Sequence, residues 1–450
     1  MPPAPRRRAG YLTVLACLVL ACLVLAGCGD QATLPVEAGT GPNPQLPAPV
    51  ETLLPTVVIA EATGWPDGET PKAAEGLAVN AFASGLEHPR MLYVLPNGDV
   101  LVAETAAPPQ PGLTDGLMGW AMKLGMWWAG AGVASPNRIT LLRDADGDGV
   151  AETRTPFVTG LNSPYGMALI GKDFYVANTD GIVRYPYKDG VTEIAAKGER
   201  IAALPAGPVN IHWVKNIVPS PDGGKLYVSV GSTSNIGERG FESEKGRAAI
   251  HEIDVSSGSS RIFASGLRNP VGLAFNPDSG ALWTTVNERD ELGSDLVPDY
   301  MTAVRENGFY GWPYSYYGDH VDARVTPQRP DLVKTAIVPD YALGPHTASL
   351  GLAFYEGALL PERYRGGAFV GQHGSWNRNP PSGYKVVFVP FENGMPSGQP
   401  EDILTGFLSE DGKKALGRPV GVAEDRTGAL LVADDVGNTV WRVAPAAQSQ

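Results

Sequence analysis

Six histidines are spread along a chain of 450 residues: His88, His212, His251, His320, His346 and His373. None belongs to an H-E-x-x-H pair. The sequence also has no G-x-S-x-G elbow, no Walker loop and no dinucleotide fingerprint, so zinc hydrolysis, serine hydrolysis and nicotinamide chemistry lack their signatures. All three cysteines, Cys17, Cys22 and Cys28, lie in the first 28 residues, which excludes a disulfide framework or a cysteine zinc site from the body of the chain. His212 stands out by its register. It precedes Pro221-Asp222 by the interval at which Arg268 precedes Pro277-Asp278, and Trp213 pairs with Asn269 in the same alignment. Matching Pro164 and Pro419 to Pro270 adds Asn162 and Arg418, and matching Gly351 to Gly272 adds Thr347. An imidazole with a pKa of about 6.5 serves as a general base near neutral pH, and a permanently charged guanidinium stabilises a developing oxyanion.

Carboxylates form a second constellation. Asp144-Ala145-Asp146-Gly147-Asp148-Gly149 puts acids at positions 1, 3 and 5 of a calcium-type loop, a glycine at 6 and Glu152 at 9, but position 12 is Thr155 instead of the bidentate Glu. This predicts either a partial calcium loop between two strands or a metal-free hairpin turn.

A recurring cassette must position these residues: a turn, a short apolar run, a Pro/Asp/Asn-Gly turn and a strand. It starts at Gly85, Gly160, His212, Gly266, His346 and Gly417. Each copy has the alternation or short apolar runs of half-buried β structure. Six copies at about 70 residues each exceed the ~40–50 of ordinary four-stranded blades, so long loops must sit on one face. The expectation is an all-β, six-bladed β-propeller, with residues at one cassette position forming a ring about its axis. The alternative is a large β-sandwich. An insertion at about 106–136 carries Leu117, Trp120, Ala121, Leu124 and Trp128 near helical spacing. It predicts a short amphipathic helix that covers a blade edge or touches a membrane or an electron acceptor.

The stretches HWVKNIVPSPDGGKLYVSVG, GLRNPVGLAFNPDSGALW, GFYGWPYSYYG and GRPVGVAEDRTGALLVADD resemble soluble quinoprotein sugar dehydrogenases that bind pyrroloquinoline quinone, with L-sorbosone dehydrogenase-like proteins nearest. The likeness runs from about Ala78 to Val443. It implies oxidation of a sugar or sugar-derived aldehyde, with His212 as base, Arg268 supporting charge on the quinone, and Asn269, Arg418 and Trp312 at the cofactor. The family's cofactor-stacking lysine falls among His373, Arg378 and Lys385, of which Arg378 is taken here. Calcium is implied at the acidic loop after the R-N-P blade, through Glu288, Asp290 and Asp295, besides Asp144, Asp146 and Asp148. A cytochrome or quinone would accept the electrons. Two rival readings are a calcium-dependent propeller lactonase recruiting Glu87, Asn162 and Asp434, and a non-catalytic envelope propeller that binds a partner.

The N-terminus reads as a basic region (Arg6, Arg7, Arg8), an apolar run from Tyr11 to Leu25, and Leu25-Ala26-Gly27-Cys28. This resembles a lipoprotein signal: residues 1–27 removed, Cys28 lipidated, 28–50 a flexible tether, and 51–450 the propeller, anchored to a membrane in the cell envelope. A formal net charge of −13 argues against nucleic acid, whose phosphates need clustered Lys and Arg. The 55 Gly and 40 Pro fit many turns between buried strands.

Overall fold

The computed structural model describes residues 29–447, apart from 53, 54, 112, 114 and 115. The signal peptide and the lipidated Cys28 expected from the sequence lie outside these residues. Among the described residues no helix is long and apolar enough to cross a membrane.

Six antiparallel sheets surround one axis, and each opens with an inner strand: β1 (Pro89–Val94), β2 (Met167–Ile170), β3 (Ile217–Pro219), β4 (Asn269–Phe275), β5 (Ser349–Phe354) and β6 (Pro419–Glu424). These strands are the first halves of the six sequence cassettes, and the second halves are the strands that pair with them. The second strands are runs such as Val100–Glu104, buried at every position because neighbouring blades cover both faces. The ring closes where Thr439–Pro445 pairs with Leu77–Ala83, so the sixth blade takes its outer strand from the N-terminal side of the chain.

Beneath the mouth of the axis, Met91, Tyr165, Trp213, Val271, Leu350 and Val420 come from six different blades and pack into one apolar floor. The residues just before each inner strand therefore stand above that floor. Strand order also fixes which loops share this end. Glu104 pairs with both Pro89 and Arg138, so the insertion between Glu104 and Arg138, with its helix α1 (Gly116–Trp128), rises from the mouth. The Asp144 loop follows Arg143, whose guanidinium bonds Asp99 at the opposite end.

Two expectations need correction. The Pro-rich segment after Gly29 is not a free tether: it runs as a strap over blades 4, 5 and 6. Thr40–Gly41 adds a strand to Tyr341–Pro345, and Glu61–Ala62 pairs with Lys414–Ala415. Asp295 accepts from Thr33 N (2.6 Å) and Leu34 N (3.0 Å), contacts 262 and 261 residues apart that local composition does not encode. The helix of the insertion forms as expected, but it covers no blade edge, because most of its side chains face solvent.

Candidate functional site

At the entry to β3, His212 is half-buried and its Nδ1 lies 2.9 Å from the Ser232 carbonyl. A carbonyl only accepts, so Nδ1 carries the proton and Nε2 keeps its lone pair. Burial, aided by the charge of Arg268, pushes the His212 pKa well below the ordinary histidine value, which keeps the ring neutral and basic. Gly231 makes room for it: a Cβ there would lie 2.5 Å from the His212 Cβ and would also strike the Asn269 amide oxygen. Lys215, unremarked in the sequence, is fully buried and sets its Nζ 3.2–3.3 Å from the carbonyls of His212, Trp213 and Val214, tying down the segment that carries the base. A lysine inside the apolar run WVKNIV is the signal that could have found it.

Arg268, at the entry to β4, is committed to the protein. Its Nε donates to Asn235 O, Nη1 to Glu288 O (2.6 Å) and Asn287 O, and Nη2 to Asn235 Oδ1 and Asp290 Oδ2 (2.7 Å). All five N–H groups are used, so what Arg268 offers the mouth is its fixed charge. Trp312 donates its indole N–H to the same Asn235 carbonyl at 2.8 Å, which makes it a brace for the Arg268 loop. Asn269 is buried, with its amide oxygen unpartnered.

On the other side of the axis, Asp435 gathers one arginine and two histidines. Arg90 Nη1 lies 2.5 Å from it and His373 Nε2 2.9 Å, with His88 Nε2 at 3.7 Å. Burial opposes ionisation of this carboxyl, but His373, His88 and Arg90 outweigh it and hold its pKa below the usual range. Arg90 stands over the Trp213 ring at 5.7 Å, and Arg418 over Tyr384 at 4.9 Å. The Nε atoms of Arg90 and Arg418 and the hydroxyl of Tyr165 are buried without partners. Burial raises the Tyr165 pKa to about 12, so this hydroxyl stays a donor.

The expected metal residues separate. Glu288 is buried with Oε1 unpartnered, and burial pushes its pKa up to about 7, as it does for neighbouring Asp299, whose carboxylate accepts from Glu288 N. Asp290 is held by Arg268 and by the Asn377 amide, which also reaches His346. Asp295 and Arg378 hold the strap: Arg378 donates to Leu34 O (3.0 Å) and lies 3.3 Å from Asp295. Arg378 is thereby removed from the cofactor position, Lys385 pairs outward with Asp402, and His373 is the candidate that reaches the axis.

Asn162 is exposed because Ser163 takes a φ of 44° and turns the chain, leaving Tyr165 as the contribution of blade 2. Thr347 is fully buried and bonds Ser349. Among the described residues, Asp144, Asp146, Asp148 and Glu152 converge within 4.8 Å of one another, but at the far end of the propeller. The lactonase ring does not assemble. Asp434 is sealed behind the indoles of Trp65 (2.7 Å) and Trp441 (3.0 Å), and Glu87 lies exposed beside Arg138.

The fold and site thus define a six-bladed propeller whose axial mouth sets the neutral His212 among arginines. The chain belongs to the TrAA12-like family, whose model matches residues 135–307 and 331–446. It is 30% identical over 296 residues to an uncharacterized protein of Borreliella burgdorferi, covering 63% of this chain and 76% of that one. It is 28% identical over 206 residues to a pyrroloquinoline quinone-dependent pyranose dehydrogenase of Coprinopsis cinerea, covering 36% of this chain but only 27% of that enzyme. The holo form of the pyranose dehydrogenase PQQ domain from Coprinopsis cinerea superposes with a TM-score of 0.67 at 21% identity, over 86% of this chain and all of that domain.

Proposed function

We propose that this protein is a quinoprotein dehydrogenase that oxidises a sugar or a sugar-derived aldehyde of the L-sorbosone type, using pyrroloquinoline quinone and calcium. One observation carries the reading: Arg90 Nε, Arg418 Nε and the Tyr165 hydroxyl are buried donors with no protein acceptor, grouped above the axial floor beside a neutral histidine. Buried donors left unmade are costly, and a cofactor bearing several carboxylates and quinone oxygens satisfies them. Arg90, Arg418, Tyr165 and Asn269 would hold that cofactor, and Glu288 Oε1 is the free hard oxygen a calcium ion would take.

When bound, the quinone would supply a hydride acceptor and the calcium a Lewis acid. His212 Nε2 takes the proton from the substrate hydroxyl or aldehyde hydrate, while its Nδ1–H stays on Ser232. Arg268 adds fixed positive charge beside the base, favouring negative charge that develops nearby. Incubation with pyrroloquinoline quinone and calcium should give dye reduction with members of a sugar and aldehyde panel. Failure with every member, sorbosone included, overturns the reading.

A lipid anchor on Cys28 and residence in the cell envelope complete the proposal, supported by the apolar run from Tyr11 to Leu25 before Ala26-Gly27-Cys28. An electron acceptor, cytochrome or quinone, would then meet the enzyme there. Intact mass of the mature protein tests the anchor: an unmodified Cys28 removes it.

A further inference from the structure

Helix α1 leaves Trp120, Met122, Leu124, Trp127 and Trp128 exposed, Trp120 at 61% and Trp127 at 67%. So many large apolar side chains on one thirteen-residue helix mark an interaction surface. Only one flank of the helix region rests on protein, where Gly125 meets Ile59 and Gly130 meets Ala62 and Val436.

Three further observations identify what covers the rest. The first is charge. From Gly116 to Asn137 there is no Asp or Glu, although the whole chain is formally −13, and the one charged residue of that stretch, Lys123, is positive. The second is where the chain leads. Asp30 N donates to Thr56 Oγ1 at 2.9 Å, and Thr56 lies three residues before Ile59, a span of at most about 11 Å. Gly29, the residue after the proposed lipid anchor Cys28, therefore lies beside α1. The third is continuity with the site. α1 rises from the mouth end, Asn210 N donates to Gln110 Oε1, and Ala107 packs against the axial floor.

We propose that α1 docks the propeller on a lipid bilayer, with Trp120, Trp127 and Trp128 at the headgroup level and the His212 mouth turned toward the membrane. Tryptophan favours that depth because its ring is apolar and its N–H is polar, and a helix without acids avoids repulsion by anionic lipid. The docking is independent of the oxidation chemistry and stands or falls without it.

The test uses the full chain with vesicles of phosphatidylcholine and phosphatidylglycerol, with and without bromine on the acyl chains. Bromine should quench tryptophan emission of the unaltered protein. Most of that quenching should vanish in Trp120→Ser/Trp127→Ser/Trp128→Ser, and Leu124→Glu, which places an acid in the patch, should reduce it. The substituted positions are exposed, so the fold should be retained, as circular dichroism would report. Absence of quenching in the unaltered protein overturns the proposal. Equal quenching in the triple variant overturns it as well.

Discussion

On the blade 3 and 4 side of the axis, Arg268 gives every N–H to a protein acceptor, whereas across the mouth Arg90 and Arg418 each keep a buried Nε without one. The saturated side holds His212, a base whose surroundings are cationic and whose tautomer is fixed by Ser232. The unsaturated side holds Asp435, a carboxylate ringed by Arg90, His88 and His373, with the Tyr165 hydroxyl nearby. One side has its donors made, leaves only the acceptors Asn269 Oδ1 and Glu288 Oε1 open, and supplies the base and a fixed field. The other has spare donors and is completed by what binds.

The largest effect should come from the saturated side. His212→Ala should lower turnover in the dye assay by about 10²–10⁴-fold, the usual contribution of a positioned base, with little change in unfolding midpoint. Because its pKa is lowered, the acid limb of kcat/KM should fall below the ordinary histidine value of about 6.5. A limb at or above that value would mean that the base is elsewhere.

Asp435→Asn attacks the other side, and through stability. It leaves Arg90 buried without its counter-charge and His373 without its carboxylate partner, which should cost about 3–5 kcal/mol, read as a fall in denaturant midpoint. The pH dependence separates two contributions. The Asp435 pKa is lowered, so its stabilisation is complete above the unfolded value of about 3.9 and is lost as pH falls through the folded value. Burial lowers His88, His212, His251, His346 and His373, which outnumber Glu288 and Asp299, the carboxyls that burial raises to about 7, so the unfolded chain takes up more protons and the native protein should weaken as pH drops below about 6.5. The wild type should therefore lose stability in two steps, and in Asp435→Asn the lower one should be smaller, because carboxyls such as Glu104 and Asp254, also held low, remain.

Tyr165→Phe tests whether the spare donors await a ligand. The hydroxyl has no partner in the protein, so its removal should leave the unloaded protein as stable as before or slightly more so. Reconstitution with pyrroloquinoline quinone should weaken by about 5- to 10-fold, the worth of one hydrogen bond. A loss of stability with unchanged cofactor affinity would make Tyr165 an ordinary core residue.

The unevenness of the sequence reading follows the range of the interactions. The cassettes encode strand-turn-strand units through local periodicity, so six blades and the placement of His212, Arg268 and Arg418 at inner-strand entries were legible. Asn162 was misplaced because a single backbone angle at Ser163 turns the chain without disturbing the apolar pattern. The Asp435 cluster was invisible because its members lie up to 347 positions apart in the chain, from His88 to Asp435, and share no motif. Arg378 looked like a cofactor contact by its place after Gly371, yet its partner is Leu34, on a strap whose composition suggested a free linker.

The smallest effect should come from the end of the propeller away from the mouth. Asp144 accepts from Gly147 N and Gly149 N, and Asp146 and Asp148 each accept from the backbone two residues on, so the loop is a self-capped turn whose carboxylates also converge. Asp146→Asn/Asp148→Asn keeps an acceptor at each turn bond while removing the charge a divalent ion would need. Any rise in melting temperature on adding calcium should shrink, whereas turnover with saturating cofactor should move by no more than about 0.5 kcal/mol, the range of surface substitutions. A collapse of turnover in this variant would mean that the far end shapes the mouth, and the division of labour would then run along the axis and not across it.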